Sequence, residues 1–288
     1  MTQRRDIALT FAGGGNRAFY QAGLMQEWGD ALWPRVGAVA ACSAGAAVVT
    51  LILSGRIDEA REHFASRRVG VRGLFSVGRL RRGERPFPHD EIYRATLEYA
   101  FADGGFERIR KAPFPVRILC ASFPRRIPKM LGIAVGLALY EVEKRVVPGL
   151  LHPTLPRRLG FEERWWDARE CESPSDLVEL VLSSSSTPPF TNLGSFDGPL
   201  LDGSMIDNAP AFLAEGVPGV DKNIVLLTRP YDPAHVGRRG HRYYVAPREP
   251  LPIERWDYRE HAPVDETFDV GRREAPHHRD GIDALLSS

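Results

Sequence analysis

The apolar positions near the N-terminus form short runs that alternate with glycine turns and helix-like stretches. Ile7–Phe11 is an apolar run of strand length, and Gly13–Gly15 end it. Good helix formers follow over 18–28. A run of small and β-branched residues, VGAVAACSAG at 36–45, then leads into the apolar helix candidate AAVVTLILSG at 46–55. The pattern predicts two consecutive strand–turn–helix units.

The same alternation continues later in the chain. The runs at 116–121 and 223–227 are typical of buried strands, and 176–182 is typical of a helix that precedes a Ser/Pro turn. Strands that alternate with helices indicate an α/β fold, in which a mostly parallel central sheet is covered on both faces.

The composition is that of a soluble globular protein, with 43% hydrophobic and 26% charged residues over 288 positions. A chain of this length can form one domain, 1–288. We expect its motif-bearing core at about 5–230 and a loop-rich, Pro- and Arg-rich C-terminal tail at about 229–288. The net charge of +1 gives no overall field that favours nucleic acid, so no nucleic-acid partner is expected.

Positive charge is concentrated in two local clusters. A solvated basic face is one interpretation of each, and contact with anionic lipid head groups is the other; the sequence leaves both open. The clusters are Arg79, Arg81, Arg82 and Arg85, and then Arg125, Arg126 and Lys129.

Cysteine usage and apolar stretches bear on the compartment. Cys42, Cys120 and Cys171 are too few and too scattered for a disulfide framework or a zinc site, which indicates a reducing compartment.

The N-terminal apolar run is shorter than the roughly 7–15 residues of an export signal. The stretch at 130–140 is shorter than the ~20 residues that span a bilayer, so we interpret it as a buried helix or as an interfacial segment that covers a site. We expect a cytoplasmic protein, with peripheral membrane contact as a further expectation.

Ser43 lies where the second strand must turn sharply into the following helix. This is the context of a nucleophile elbow, in which a strained serine exposes its hydroxyl above the sheet edge. The positions two before and two after it must be small, and Ala41 and Gly45 are. The helix that follows directs its N-terminal N–H groups towards a developing oxyanion. Cys42 has no cationic neighbour in the sequence to activate it, so we interpret it as an inert core thiol.

The glycine turn at 13–18, GGGNRA, is consistent with two kinds of site. It fits the dinucleotide-binding pattern, and it could equally present backbone N–H groups to an oxyanion. A dinucleotide site needs an acidic residue about 20 positions later, yet none lies between Pro34 and Thr50. An oxyanion loop is therefore favoured. Arg17 is either a surface side chain or a brace for this loop.

Asp202-Gly203 follows an apolar approach and is a candidate acid. Asp-Gly pairs are usually turns, and others occur at Asp103, Asp197 and Asp280. Sequence spacing alone does not choose among them.

Three elements in this order resemble the patatin-like phospholipase family: the GGGxRG-like loop at 13–18, the G-x-S-x-G-like elbow at 41–45, and the DG[GA]-like element at 202–204. The Ser-rich, Pro-containing stretch at 183–190 is also similar to that family. Ala18, Ala41 and Ser204 depart from the family pattern, although all three stay small.

The resemblance implies a three-layer α/β/α fold with a Ser nucleophile elbow. It implies a lipid acyl hydrolase, of the phospholipase A or lysophospholipase kind, that works through an acyl-enzyme on phospholipid or another lipid ester without a cofactor or a metal. Segments 67–90 and 125–165 are expected to shape substrate access. The site residues it implies are Ser43 as nucleophile, Asp202 as its partner, Gly13, Gly14 and Gly15 as the oxyanion loop, and Arg17, Gly45 and Gly203 in support.

Three alternatives remain at this level. One is an α/β-hydrolase with a Ser–Asp–His triad, another is a silent membrane-docking protein with the same fold, and the third is an esterase that acts on non-lipid esters. The histidines available to a triad after the acid are His235, His241, His261, His277 and His278.

Overall fold

The computed structural model describes residues 4–124, 152 and 155–288 and contains one central sheet. Its strands run in the order β4-β3-β2-β1-β6-β8-β7, with β5 paired to β3. The strands are β1 (Ile7–Phe11), β2 (Val36–Cys42), β3 (Val116–Ser122), β4 (Glu162–Asp167), β5 (Leu200–Asp202), β6 (Lys222–Leu226), β7 (Gly237–Arg239) and β8 (Arg242–Val245).

The sheet is mostly parallel, because β1 pairs in parallel with β2 and β6, β2 with β3, and β6 with β8. The antiparallel pairs involve β4 and β5 beside β3, and β7 beside β8. The predicted α/β/α fold is confirmed. The helices of the described residues are α1 (Phe19–Leu32), α2 (Ala44–Leu53), α3 (Ile57–Arg67), α4 (Val77–Arg81), α5 (His89–Phe101), α6 (Gly105–Arg110), α7 (Leu155–Arg158), α8 (Pro174–Ser184), α9 (Ala211–Glu215), α10 (Val264–Glu274) and α11 (Arg279–Leu286).

Side chains of the central strands alternate between two buried faces, as the period of a β-strand requires. In β1, Ile7, Leu9 and Phe11 belong to the large core that α1, α2, α5 and α8 cover. On the opposite face, small residues such as Ala8 and Ala38 pack against the layer that contains α9. Both faces are therefore closed to water, which explains why the strand sequences are almost continuously apolar.

The helix α8 has a complete N-terminal cap. The Ser173 hydroxyl accepts a hydrogen bond from the Asp176 N–H, and the Asp176 carboxylate accepts one from the Ser173 N–H. Pro174 occupies the first turn, where its missing N–H costs nothing. The cap fixes where α8 begins, and the Ser-rich segment starts in the last turn of the same helix.

The strand β5 is inserted at a gap beside β3. On that side of β3, β2 pairs only as far as Cys42, which faces Leu119. The next position, Cys120, faces Asp202 of β5. The end of β2 and the end of β5 therefore meet along one edge of β3, although they are far apart in the sequence.

The C-terminal part of the chain differs from the expected loop-rich tail. It contributes β7, β8, α10 and α11, and β8 extends the central sheet by parallel pairing with β6. The expectation missed α10 because its apolar positions are few and widely spaced; Val264, Thr267, Phe268 and Gly271 are its buried residues. These residues pack against α1, so this part of the chain belongs to the core layer.

Two predicted features lie outside the described residues. They are the apolar stretch at 130–140 and the basic cluster of Arg125, Arg126 and Lys129. In the ranges that the structure describes, no helix combines the length and the apolar character needed to cross a bilayer.

Candidate active site

Ser43 occupies the sharp junction between β2 and α2. Its backbone has φ 52° and ψ −137°, a region that residues other than glycine rarely adopt. The turn is possible because Gly45 passes close to β1: a Cβ there would lie 2.5 Å from the Phe11 carbonyl oxygen and 2.6 Å from that of Ala12. The strained turn leaves the Ser43 side chain at the edge of the sheet, as a nucleophile elbow requires.

The Ser43 hydroxyl donates a hydrogen bond to Asp202, with 2.7 Å between Oγ and Oδ2. The other carboxylate oxygen of Asp202 accepts from the backbone N–H of Ser204 at 2.8 Å. The Thr187 hydroxyl lies 3.3 Å from Oδ2 and adds a weaker contact. The carboxylate is thus held in one orientation with an oxygen directed at the serine.

Burial raises the pKa of Asp202 above the ordinary value of an aspartate, because the ionised form loses its hydration. Hydrogen bonds from Ser43 and Ser204, together with the positive charge of Arg255, act in the opposite direction. Desolvation is the largest of these effects. Asp202 is therefore a stronger base than an exposed aspartate, which suits it to accept the proton of a hydroxyl.

The Ser-rich segment that begins in the last turn of α8 supports the elbow from behind. The Ser43 N–H donates to the Ser184 hydroxyl at 2.8 Å, and that hydroxyl donates to the Leu119 carbonyl at 2.6 Å. Ser184 thus satisfies a backbone group that the tight turn leaves without a partner in the sheet. Apart from the family-like Ser/Pro stretch, no sequence pattern indicates this role of Ser184.

The glycine turn that follows β1 lies beside Ser43, but its members differ in what their N–H groups do. The Gly13 N–H donates to the Asn208 carbonyl at 3.0 Å, so it is not available as an oxyanion donor. Gly14 and Gly15 line the cavity in front of Ser43 and Asp202. Of the three glycines of the expected oxyanion loop, Gly14 and Gly15 line the cavity, whereas Gly13 is tied to Asn208; the oxyanion role of the loop stays a prediction.

A C-terminal segment clamps this loop. The Asn16 N–H donates to the Arg255 carbonyl at 3.0 Å, and the Asn16 side-chain amide donates to the Asp257 carbonyl at 2.6 Å. Gly15 has φ +58°, and a Cβ there would collide with the Arg255 carbonyl oxygen. Glycine is therefore required both by the backbone conformation and by the close approach of the segment.

Two cavities meet at Ser43. The larger, about 390 Å³, is open and mixed in polarity, and the smaller, about 50 Å³, is a narrow apolar slot. Gly15, Arg255 and Trp256 form walls of both. The larger is also lined by Thr187, Pro189, Phe190, Asp202 and Asn208, and the slot by Phe19, Ala47, Val48, Leu51, Phe64 and Leu97.

The sequence model of the patatin-like phospholipase family matches residues 9–215 of this chain. That span includes both Ser43 and Asp202. The chain belongs to the patatin-like phospholipase family. Members of this family are lipid hydrolases, so lipid ester hydrolysis is the general chemistry of the family.

Among solved structures, the patatin-like chain is similar to that of VipD from Legionella pneumophila. The two share 13% sequence identity with a TM-score of 0.43, and the alignment covers 96% of this chain and 67% of VipD. No curated protein sequence matches the chain.

The three departures from the patatin-like pattern fit the structure. Ala18 and Ala41 are buried, and each has room for its methyl group within the core. The Ser204 hydroxyl lies 3.6 Å from the Cys42 sulfur, and its hydrogen bond to Asp202 lowers the pKa of that carboxyl. Gly203 packs against the backbone of Leu119 behind the site. The substitutions therefore leave the contact between Ser43 and Asp202 in place.

The remaining candidates of the sequence lie away from the reacting atoms. Burial raises the pKa of the Cys42 thiol well above its ordinary value, which leaves it protonated and unreactive. Arg17 lies in the turn that precedes α1 and is half-buried; it is not a wall residue of either cavity around Ser43.

Histidines and metal ligands do not contribute to this patatin-like site as far as the structure describes the chain. No histidine in the described ranges lines either cavity at Ser43. His278 is buried against Trp28 and Tyr243, and His241 pairs with Glu215. No group of three or more His, Cys, Asp or Glu side chains among the described residues could hold a metal ion. Among the described residues, a Ser–Asp–His triad therefore has no histidine in the walls of these two cavities.

Proposed function

We propose that this chain hydrolyses lipid esters, with Ser43 as nucleophile and Asp202 as the base that activates it. The observation that carries the proposal is the 2.7 Å hydrogen bond between the Ser43 hydroxyl and the Asp202 carboxylate, at the junction of two cavities. No third residue is needed to relay the proton, because donor and acceptor are in direct contact.

Acylation follows from this geometry. Ser43 Oγ attacks the ester carbonyl carbon while its proton passes to Asp202 Oδ2, and the carbonyl oxygen becomes an oxyanion. The N–H groups of Gly14 and Gly15 and the N-terminus of α2 stabilise that charge. When the tetrahedral intermediate collapses, the bond to the leaving alcohol breaks and the proton on Asp202 moves to the alcohol oxygen. The product is an acyl ester of Ser43.

Deacylation repeats the steps with water as nucleophile. The water oxygen attacks the acyl carbon while Asp202 accepts a proton from that water, and a second tetrahedral oxyanion forms in the same position. Collapse breaks the bond to Ser43 Oγ, which recovers its proton from Asp202. The fatty acid leaves and the resting site is restored.

The two cavities support a lipid as substrate. The apolar slot offers an environment for the acyl chain, since its walls contain mainly hydrocarbon side chains such as Val48 and Leu51. The larger cavity takes the alcohol part of the ester, and Arg255 adds positive charge to its wall. A phospholipid fits this division, with its phosphate on the polar side and one acyl chain in the slot. Such a substrate also requires contact with a membrane surface.

The first test is hydrolysis of a short-chain nitrophenyl ester and covalent labelling by a fluorophosphonate probe with peptide mapping. We expect label on Ser43, and a rate loss of about 10³-fold or more for Ser43→Ala and for Asp202→Asn, because removal of either member disables the unit. Ser66→Ala is the matched control and keeps the parent rate, because Ser66 is an exposed helical serine that lines neither cavity.

Equal rates in the parent and in Ser43→Ala, with no label in either, would contradict the proposal and favour a silent protein with the same fold. Label on another residue would contradict the assignment of the nucleophile. Hydrolysis of short soluble esters without hydrolysis of dispersed phospholipid or other lipid esters would contradict the lipid part alone.

A further inference from the structure

Exposed hydrophobic side chains are concentrated in one short segment. Of the seven large hydrophobic residues exposed on the described surface, five lie between positions 69 and 80. Single exposed hydrophobic residues are normal, but a contiguous group marks an interaction site. The five are Val69 (68% exposed), Leu74 (40%), Phe75 (51%), Val77 (52%) and Leu80 (55%).

The same segment is strongly basic. Residues 67–85 contain seven arginines and one acidic residue, Glu84. Arg82 pairs with Glu84, and Arg79 pairs with Glu84 and more closely with Glu91, which also pairs with Arg67. Arg72 and Arg81 are exposed and form no ion pair with any residue that the structure describes. The surface thus combines a local excess of positive charge with exposed hydrocarbon. We call the exposed side chains of residues 67–82 the docking surface.

The docking surface lies next to the mouth of the candidate site. The Arg85 guanidinium donates to the carbonyl oxygens of Pro189 and Thr191, and these two residues line the larger cavity and the apolar slot respectively. A chain of aromatic contacts also joins the docking surface to the larger cavity. Phe75 packs on Phe87 at 5.6 Å between ring centroids, and Phe87 packs on Phe190 at 5.2 Å. Phe190 is itself a wall residue of the larger cavity.

We propose that the docking surface binds the interface of an anionic lipid membrane and brings the mouth of the site against it. This inference rests on the proposed function for its purpose, but not for its test. Aliphatic side chains such as Val77 and Leu80 enter the boundary between head groups and acyl chains, while Arg72 and Arg81 contact lipid phosphates. A lipid ester drawn out of that leaflet has a short path along Phe87 and Phe190 to Ser43.

A membrane accounts for both properties of the surface. Nucleic acid would satisfy the arginines, but it would leave the aliphatic side chains at 69, 77 and 80 in water. A neutral hydrophobic partner would cover those side chains and leave the arginine excess without counter-charge. Anionic lipid offers hydrocarbon and phosphate at adjacent depths, which matches aliphatic and arginine side chains interleaved along one segment.

The test measures binding without catalysis. The Ser43→Ala protein is mixed with sedimentable vesicles of pure phosphatidylcholine, or of phosphatidylcholine with about one third phosphatidylserine, and the bound fraction is titrated. We expect binding to the anionic vesicles that weakens at high salt. Arg72→Gln with Arg81→Gln lowers affinity about 25-fold at low salt, at about fivefold per arginine. Val77→Ser with Leu80→Ser lowers it by at least about tenfold at any salt concentration.

Matched controls separate the segment from general charge and hydrophobicity. Arg273→Gln with Arg279→Gln removes the same charge from an exposed region elsewhere, and Leu159→Ser with Trp165→Ser removes exposed hydrophobic side chains outside the segment. Both control pairs keep the parent affinity. Circular dichroism and thermal melting verify that each variant is folded.

Three results would overturn the proposal: equal binding to neutral and anionic vesicles, docking-surface variants that bind as tightly as their controls, or no vesicle binding at all. The last result would favour a protein partner for this surface. Since Ser43→Ala has no nucleophile, a failure of the proposed hydrolysis leaves the binding result interpretable, and a failure of binding leaves hydrolysis of soluble esters untouched.

Discussion

Asp202 combines two properties that oppose one another energetically. It is only 8% exposed, so its ionised form is poorly hydrated, yet the proposed chemistry requires that form. Hydrogen bonds from Ser43 and from the Ser204 N–H offset part of the cost. The remaining penalty destabilises the fold while it makes the carboxylate more basic. A group that benefits the reaction at the expense of stability is common in active sites.

The free energy of unfolding should therefore fall as pH rises and Asp202 ionises. The pKa of Asp202 is raised in the folded state above its ordinary value of 3.8, so the side chain costs nothing below that pH and destabilises the fold as pH rises through both values. We expect Asp202→Asn to be inactive but to melt about 2–4 °C higher at neutral pH, the shift for about 1 kcal/mol in a domain of this size.

Melting curves of the parent and Asp202→Asn between neutral pH and pH 3 provide the measurement. The difference in Tm should close as pH falls towards 3.8. The acid limb of the parent's hydrolysis rate should lie above that pH as well. A variant that melts lower than the parent at neutral pH would mean that the hydrogen bonds outweigh the desolvation of the carboxylate.

At the scale of secondary structure, α2 has two functions along its length. Its first turn follows Ser43 directly, and in the proposed mechanism its N–H groups stabilise the oxyanion; its next turns form one wall of the apolar slot through Ala47, Val48 and Leu51. Val49, one position after Val48, is fully buried in the core and is not a wall residue of the slot. Helical periodicity thus places two adjacent valines in different environments.

This difference gives a test of which cavity holds the acyl chain. We expect Val48→Ala to widen the narrow slot. The ratio of the rate on a longer-chain ester to the rate on a short-chain ester should then rise by about tenfold, which is roughly the discrimination that one methylene gives in an apolar pocket. Val49→Ala is the matched control, since it removes the same atoms from α2 and costs a similar ~2 kcal/mol of stability.

The measurement is kcat/KM on nitrophenyl esters of increasing chain length, with melting temperatures recorded in parallel. The prediction fails if both variants change chain-length preference alike, or if neither does. In either case the acyl chain would occupy the larger cavity.

At the scale of the whole molecule, the site depends on a part of the chain that lies beyond the family match. The segment that contains Arg255 and Asp257 accepts the hydrogen bonds of Asn16 and so fixes the glycine loop. That segment precedes α10, which packs closely on α1. A Cβ at Gly271 of α10 would collide with the Tyr20 carbonyl of α1, so the two helices touch backbone to backbone. The position of the glycine loop thus depends on this helix pair.

Gly271→Ala should therefore separate α10 from α1 and lower the free energy of unfolding by about 1–3 kcal/mol, as overpacking does. Because the glycine loop would then be displaced, the rate of hydrolysis should also fall. Gly78→Ala is the control. It also lies in a helix, but a Cβ there has no atom closer than 3.7 Å, and it should be neutral or stabilise the fold by up to about 1 kcal/mol.

Urea unfolding and ester hydrolysis of the two variants check this expectation. If Gly271→Ala lost stability but kept the parent's kcat/KM, the C-terminal helices would support the fold without positioning the loop. If it lost neither, the contact between α1 and α10 would not be tight in solution.

The sequence by itself determined the local parts of this protein. Alternation of apolar runs and glycine turns placed β1, β2, β3 and β6 within one or two residues, and the small residues around Ser43 indicated an elbow, because strand periods and turn sterics are local properties. Several Asp-Gly pairs were equivalent at that level. Resemblance singled out Asp202, whereas spacing could not.

Only the tertiary structure brings the parts into one site. The insertion of β5 beside β3 sets Asp202 against the end of β2, while Asp197 lies exposed on the surface. The structure also assigns the Gly13 N–H to Asn208 and brings Arg255 to the wall of both cavities. These contacts join residues about 160 to 240 positions apart, and their geometry is decided by sheet order and helix packing, which no local pattern encodes.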